Sequence, residues 1–459
     1  MKILTLLYKT TKTNYRLIPV LLLVAMGTTA CKKYLEAKPD QKITTPSTIE
    51  DLEGMLDNYS ALNTHYPSAS EVSADNFYLT DADYTSLVER QRNFYLWQKF
   101  DDIGGDYTAP YNSIFYANIM LETLNSLPGS DPAKVNEIRG SALFLRGAYH
   151  YALAQLFAVP YDEQTAGTDL GIPLRLKSDI ADLPVRSTVA ATYTSVISDL
   201  KAAVPLLPAT PVLKYRPTKP AAYAVLARVY LSMRKYEQAG LYADSCLQLY
   251  HTLINYNTVS ASSTIPFKQF NDEVIYDART SPPAALSSAR ARIDTTLFGS
   301  YATNDLRKTV FFKSNTNGSK AFKGNYTGLS NASLFTGCAT DEVLLIRAEA
   351  AARNGNTQAA LNDLNALLTT RYKTGTYVPV TTSDPGQLLT LILQERRKEL
   401  LYRTLRWTDL RRLNKEAGTA QTLYRNIGGT RYTLQPGGLR YTFQLDRNAV
   451  NISGVVQNP

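Results

Sequence analysis

Residues 221–247, Ala221-Ala222-Tyr223-Ala224-Val225-Leu226-Ala227-Arg228-Val229-Tyr230-Leu231-Ser232-Met233-Arg234-Lys235-Tyr236-Glu237-Gln238-Ala239-Gly240-Leu241-Tyr242-Ala243-Asp244-Ser245-Cys246-Leu247, carry two helical faces in succession. Tyr223, Leu226, Ala227 and Tyr230 recur at the three- and four-residue steps of one helix face. Ala239, Ala243 and Cys246 repeat the step with small side chains. Large groups on one helix and small groups on the next let two antiparallel helices interlock. Arg234-Lys235 marks the turn between them.

Residues 341–368 repeat the plan, with Leu344, Ala348 and Ala351 on one helix and Ala360, Leu364 and Leu367 on the next. Asn354-Gly355-Asn356 supplies the cap and loop. Two such segments predict a mostly α, tetratricopeptide-like helical repeat scaffold. Ala142, Leu145, Tyr149, Ala152, Leu153 and Leu156 form a further stripe. Val189, Tyr193, Val196, Ile197, Leu200 and Val204 form another, with Ser187 as the expected N-cap. Residues 110–127 and 386–413 also read as helical. Repeat-type helices are therefore expected near 110–158, 187–247, 341–370 and 386–414, with a Pro- and Gly-bearing insertion over 159–186. A small β component is expected as a hairpin of Tyr432-Thr433-Leu434 with Tyr441-Thr442-Phe443 around Pro436-Gly437-Gly438. Two long segments, 64–106 and 251–340, do not fit the repeat yet hold ten of the fourteen Phe. Loops of that length are functional or disordered, and their aromatic content predicts aromatic-rich insertions packed on the scaffold.

The whole chain has 459 residues, 44% of them apolar and 19% charged, which excludes a disordered chain and allows a large core. Three scattered His make no zinc-type cluster, and three Cys exclude a disulfide-rich scaffold. The net charge of +9 invites a nucleic-acid reading. However, residues 1–30 read as an export signal: Lys2, Lys9, Lys12 and Arg16 precede an apolar run from Leu17 to Met26, then Gly27-Thr28-Thr29-Ala30-Cys31. The run is too short to span a bilayer, which takes roughly 20 residues. Removing it takes four of the 49 basic residues and no acid, so the charge falls from +9 to +5. A Cys after small residues resembles a bacterial lipobox, with Thr28 where Leu or Val is usual. Acylation of Cys31 would anchor the chain in lipid; the alternative is an ordinary secretory signal with an incidental Cys.

Across the chain, ordered motifs accumulate. Lys33-Tyr34-Leu35-Glu36-Ala37-Lys38-Pro39 follows the lipobox, and Tyr111-Asn112-Ser113-Ile114-Phe115-Tyr116-Ala117-Asn118 and Leu143-Phe144-Leu145-Arg146-Gly147-Ala148-Tyr149 lie on predicted helices. Arg216-Pro217-Thr218-Lys219-Pro220 precedes the first repeat, and Asn304-Asp305-Leu306-Arg307 follows Tyr301. Glu395-Arg396-Arg397-Lys398-Glu399-Leu400 with Arg406-Trp407-Thr408-Asp409-Leu410 is the best-marked pair, and Val455-Val456-Gln457-Asn458-Pro459 closes the series. In their order these motifs resemble the SusD/RagB family of outer-membrane lipoproteins. Arg403-Thr404 departs from the Glu-Gly often found there in the family, which puts a structural ion pair in doubt. The resemblance implies one domain over 31–459, anchored in the outer membrane through Cys31 and cell-surface facing. It further implies a nutrient-binding partner of a SusC-like TonB-dependent transporter, taking an oligosaccharide or a peptide, with no cofactor and no catalysis. The rivals are a helical-repeat adaptor without a nutrient ligand and a glycosidase. The export signal excludes nucleic acid as a partner.

A glycan site needs flat apolar faces for pyranose rings and hydrogen-bonders for hydroxyls. Trp97, one of only two Trp, lies in the first insertion, where related proteins place ligand contacts. Asp75, Asn76 and Tyr78 are expected beside it, with Tyr301, Arg279 and Tyr276 from the second insertion. Each has a packing alternative: Trp97 pinning its segment, and Asp75 and Asn76 in an Asx turn. Trp407 reads as core. Residues 395–412 carry seven basic and three acidic residues, and the spacing of Glu399 with Arg403 and Asp409 with Arg406 predicts helix-surface ion pairs. Asp101, Asp102 and Asp106 in a Gly-rich turn offer a Ca²⁺ site or an acid/base pair, against a plain solvated loop. No Ser-His-Asp order, phosphate loop or HExxH motif is present. Cys246 and Cys338 are open to pairing in an oxidising compartment, although Cys246 sits at a small-residue position.

Overall fold

The Lys219–Ser232 helix starts where Thr218 accepts from Ala221 N and Pro220 sets the first turn. It ends at Met233, and Arg234 takes a left-handed φ of 61° to reverse the chain into Tyr236–Leu249. Ala239, Ala243 and Cys246 are fully buried between the two, as their spacing requires. Thr340–Arg353 and Thr357–Arg371 form a second hairpin, turned through Gly355 at φ 77° and capped by Asn356. The hairpins meet at Gly240, where a Cβ would stand 3.0 Å from Ala350. A side chain there would push the helices apart.

The structure, a computed structural model, describes residues 46–127, 131–183 and 185–459. The export segment 1–30, Cys31 and the Lys33–Pro39 motif lie outside the described residues. From Ser47 to Pro459 the chain forms one unit. Its backbone is a run of helices in which each packs on the next: Gly105–Leu124, Pro132–Phe157, Val189–Ala203, the two hairpins, and Pro385–Glu399. Thr188, rather than Ser187, caps Val189–Ala203. No helix among the described residues is long and apolar enough to cross a membrane.

The strands are short antiparallel pairs. The two long insertions pair with each other, Phe77–Tyr78 with Arg292–Ile293. They contain short helices, including Ala69–Ser73, Glu89–Tyr95 and Thr295–Gly299, and bury Phe77, Phe94, Phe267, Phe311, Phe312 and Phe335. The expected hairpin of 432–434 with 441–443 is corrected: Thr430–Leu434 pairs upstream with Leu423–Ile427. The turn is Gly428-Gly429, both at positive φ as a tight hairpin demands, while Pro436-Gly437-Gly438 leads into a single 3₁₀ turn at Leu439–Tyr441.

The basic signature is corrected as well. Residues 395–412 break into Pro385–Glu399 and Arg406–Leu413. Their charges face inward rather than pairing along a surface. Glu399 binds Arg307 and Arg371, Asp409 binds Arg396 and Arg412, and Arg412 also holds Glu349. Arg403 pairs with buried Asp341 at 3.0 Å, so this position keeps an ion pair of its own. Carboxylate oxygens of Glu273, Asp341 and Glu399 lie within 4.8 Å of one another, a spacing that suits a metal. Arg371, Arg307 and Arg403 already neutralise them. Trp407 is fully buried against Tyr441, and Cys246 and Cys338 are buried free thiols.

Candidate functional site

After the Ala69–Ser73 helix the chain turns at Ala74 and runs through Asp75 and Asn76 into the Phe77–Tyr78 strand. Arg406 grips Asp75 from the second signature helix, Arg397 reaches it from the first at 3.1 Å, and Gln421 Nε2 donates to it at 3.0 Å. Burial opposes charge on Asp75, but Arg406 and Arg397 outweigh it and hold its carboxyl well below the usual carboxylate range. Beneath it, Glu71 accepts from Asn76 Nδ2 at 2.8 Å and from Thr404 N at 3.0 Å. Burial pushes the Glu71 carboxyl up to about 7.

Around Asp75 opens a polar cleft of about 480 Å³, lined by Tyr78, Asp294, Arg397, Gln421, Tyr424 and Asn426 among others. The first insertion, the second insertion, the signature helix and the C-terminal hairpin each contribute a wall. Tyr78 is 37% exposed and Tyr424 51%, so two tyrosine rings keep open area beside amide and charged groups. Tyr424 was missed in the sequence. Its signal is the alternation Leu423-Tyr424-Arg425-Asn426-Ile427, in which Leu423, Arg425 and Ile427 are buried and Tyr424 and Asn426 face out. Arg425 lies inward on the Tyr95 ring, 4.1 Å from its centre, and donates to the carbonyls of Ala74 and Phe77.

Of the expected residues, Asp75 and Tyr78 line this cleft and the others do not. Trp97 is corrected to a packing role: it is 6% exposed, and its indole N–H is spent on Ser73 O at 2.9 Å. Asn76 is buried and committed to Glu71. Tyr301 is buried with its hydroxyl on Lys398 O at 2.8 Å, and Tyr276 is buried too. Arg279 lies elsewhere, its guanidinium 4.7 Å from the centre of the Tyr59 ring. Asp101, Asp102 and Asp106 do not converge. Asp101 pairs with Arg447, Asp102 with Arg90, and Asp106 accepts from the backbone of Ser68 and Ala69. Each carboxylate has its own partner rather than facing a shared site. A second cleft, of about 420 Å³, is walled by Tyr107, Tyr111, Phe115, Pro173 and Ile452 and is largely apolar.

The family profile described as "Starch-binding associating with outer membrane" matches residues 33–231, and the "SusD family" profile matches residues 340–451. The chain belongs to the SusD/RagB family. Solved SusD-type structures share its fold. A SusD superfamily protein from Bacteroides vulgatus superposes with a TM-score of 0.75 at 20% identity, over 90% of this chain and 99% of that one. A putative sugar-binding protein from the same species gives 0.72 at 20% identity, over 91% and 99%. Surface glycan-binding protein A from Bacteroides uniformis gives 0.69 at 17% identity, over 90% and 99%. No curated protein matches the chain in sequence. Thr404 takes a φ of 62°, a strained state for a β-branched residue. Its N–H on Glu71 and its hydroxyl 2.6 Å from that of Thr336 hold it there.

Proposed function

We propose that this SusD/RagB protein captures an oligosaccharide in the polar cleft and delivers it to a SusC-like TonB-dependent transporter. In this reading the mature chain is one domain beginning at Cys31, held in the outer membrane by acyl chains on that residue and facing the cell surface. The observation that carries the binding site is the pairing of two part-open tyrosine rings, Tyr78 and Tyr424, with Asp294, Gln421 and Asn426 in one cleft. A stiff ring supports a pyranose face at little entropic cost, and the polar groups meet hydroxyls. Hand-over to a transporter requires release, so an affinity between micromolar and millimolar suits the role, about −8 to −4 kcal/mol. The site binds without reacting. Asp75 is locked between arginines and far from the protonation state of a general acid, and Asp294 is engaged in capping its helix by accepting from Leu297 N.

Calorimetry of the mature protein against a panel of glycans and a panel of peptides tests this. Heat from a glycan, lost in Tyr424→Ala, is the expected result. A peptide ligand in its place contradicts the oligosaccharide reading. Silence across both panels, with the transporter still bound, contradicts nutrient capture and favours the adaptor. For the anchor, Cys31→Ser is expected to move the protein from the detergent phase to the aqueous phase.

A further inference from the structure

From residue 306 to residue 340 the chain holds Arg307, Lys308, Lys313, Lys320 and Lys323 and neither Asp nor Glu. Arg307 is buried in its cage of acids, but the lysines are not paired this way. Lys308 Nζ rests on Tyr301 O at 2.8 Å, Lys313 Nζ on Ser288 Oγ at 3.2 Å, and Lys320 Nζ on Ser314 Oγ at 2.8 Å. All three partners are neutral oxygens. Lys308 and Lys320 each stand 5.2 Å from the centre of the Phe298 ring, so the two ammonium groups lie within twice that distance of each other. Burial and the nearby charge of Lys313 lower the pKa of Lys323, as expected for like charges without compensation.

This strip adjoins the polar cleft. Phe298 lies on the Thr295–Gly299 helix, whose Thr296 lines the cleft together with the capping Asp294. The strand Arg292–Ile293, paired with Phe77–Tyr78 at the cleft wall, packs against Lys320–Phe322. A ligand lying on Tyr78 and running past Thr296 therefore meets Lys320 and Lys308 next. The hairpin of Phe312–Ser314 with Lys320–Phe322 carries Lys313 at an exposed position.

We infer that the cleft serves an anionic glycan, a polymer bearing uronate or sulfate groups, whose charges the Lys308–Lys313–Lys320 strip receives while its sugar rings occupy the cleft. This rests on the oligosaccharide reading of the cleft and narrows it. Lysine ammonium groups are rotatable point charges and suit carboxylates spaced along a flexible chain. Their attraction acts over a Debye length of about 10 Å at 0.1 M salt, so binding is salt-sensitive.

Affinity electrophoresis of the mature chain tests the inference. The gels contain polygalacturonate, alginate, hyaluronate or chondroitin sulfate, against neutral dextran, xylan and fully methyl-esterified polygalacturonan. Retention by at least one anionic polymer is expected, reduced about tenfold or more in K308Q/K313Q/K320Q and largely abolished at high salt. The charge-keeping K308R/K313R/K320R retains it, and Tyr424→Ala abolishes it. Retention by neutral glycans alone overturns the inference and leaves the oligosaccharide reading standing. Retention by no glycan overturns both. Anionic retention unchanged by the glutamines, or lost equally in the arginine variant, also overturns it. So does lysine-dependent binding to phosphatidylglycerol vesicles without binding to any anionic polymer, which would assign the strip to a membrane surface.

Discussion

Arg406 clamps Asp75 with two parallel bonds, Nε to Oδ1 at 2.7 Å and Nη2 to Oδ2 at 2.9 Å, between residues 331 apart in the chain. The clamp ties the first insertion to the signature helix and sets the floor of the cleft. Removing one partner leaves the other desolvated, and breaking such a pair costs roughly 3–5 kcal/mol. Arg406→Ala is expected to lower the melting temperature sharply. Arg406→Lys is expected to recover only part of the loss, because a single ammonium cannot make the parallel pair.

The same clamp makes a pH prediction. Asp75 has its carboxyl lowered in the folded chain, so its contribution is complete above the ordinary value of 3.8 and is lost as the pH falls below it. Acid titration of stability by circular dichroism is expected to show a shallower fall below about pH 4 for Asp75→Asn, from a lower plateau, than for the wild type.

Glu71 acts in the opposite direction. Its carboxyl, raised by burial from 4.5 to about 7, takes up a proton on folding in that interval. Stability from this group is therefore full below about pH 4.5 and declines as the pH rises through about 7. Glu71→Gln lacks the decline. It is expected to gain on the wild type as the pH is raised from about 5 to about 8, by roughly 3 kcal/mol at 1.36 kcal/mol per pH unit. Parallel melting curves over that range would contradict it.

Thr404 is expected to tolerate glycine. Thr404→Gly relieves the positive φ and keeps the N–H bond to Glu71, so the loss of the hydroxyl bonds is offset to within about 1 kcal/mol. Thr404→Pro removes that N–H and demands a negative φ, and is expected to abolish folding or lower the melting point by many degrees.

The two helical hairpins were legible because their large and small residues sit at fixed steps, and Ala239, Ala243 and Cys246 are buried as that spacing demands. The site was legible only in part. Asp75 and Tyr78 do line the cleft, but the rarity of Trp97 and its place in the first insertion say nothing of its exposure. Its indole body fills space between Ser73 and Arg425 because a buried ring with one satisfied N–H is a stable core element. The charges of 395–412 misled for another reason. Helix spacing pairs neighbours on one face, yet Arg403 and Arg406 lie beyond the break at Leu400 and find Asp341 and Asp75 instead. Such pairs join residues far apart in the chain, and no local pattern announces them. Tyr424 lies on the upstream strand of the hairpin, outside the 432–443 segment whose turn residues mark it in the sequence.

On the proposed reading Tyr424 belongs to the binding surface while Trp97 belongs to the core, and one pair of variants separates them. The glycan retained by the wild-type protein is titrated calorimetrically into Tyr424→Ala and Trp97→Ala, with the melting temperature of each measured alongside. The expected result is that Tyr424→Ala loses binding with its melting temperature nearly unchanged, while Trp97→Ala loses roughly 3–5 kcal/mol of stability. Full affinity in Tyr424→Ala, or a Trp97→Ala protein that melts like the wild type yet no longer binds, would contradict it.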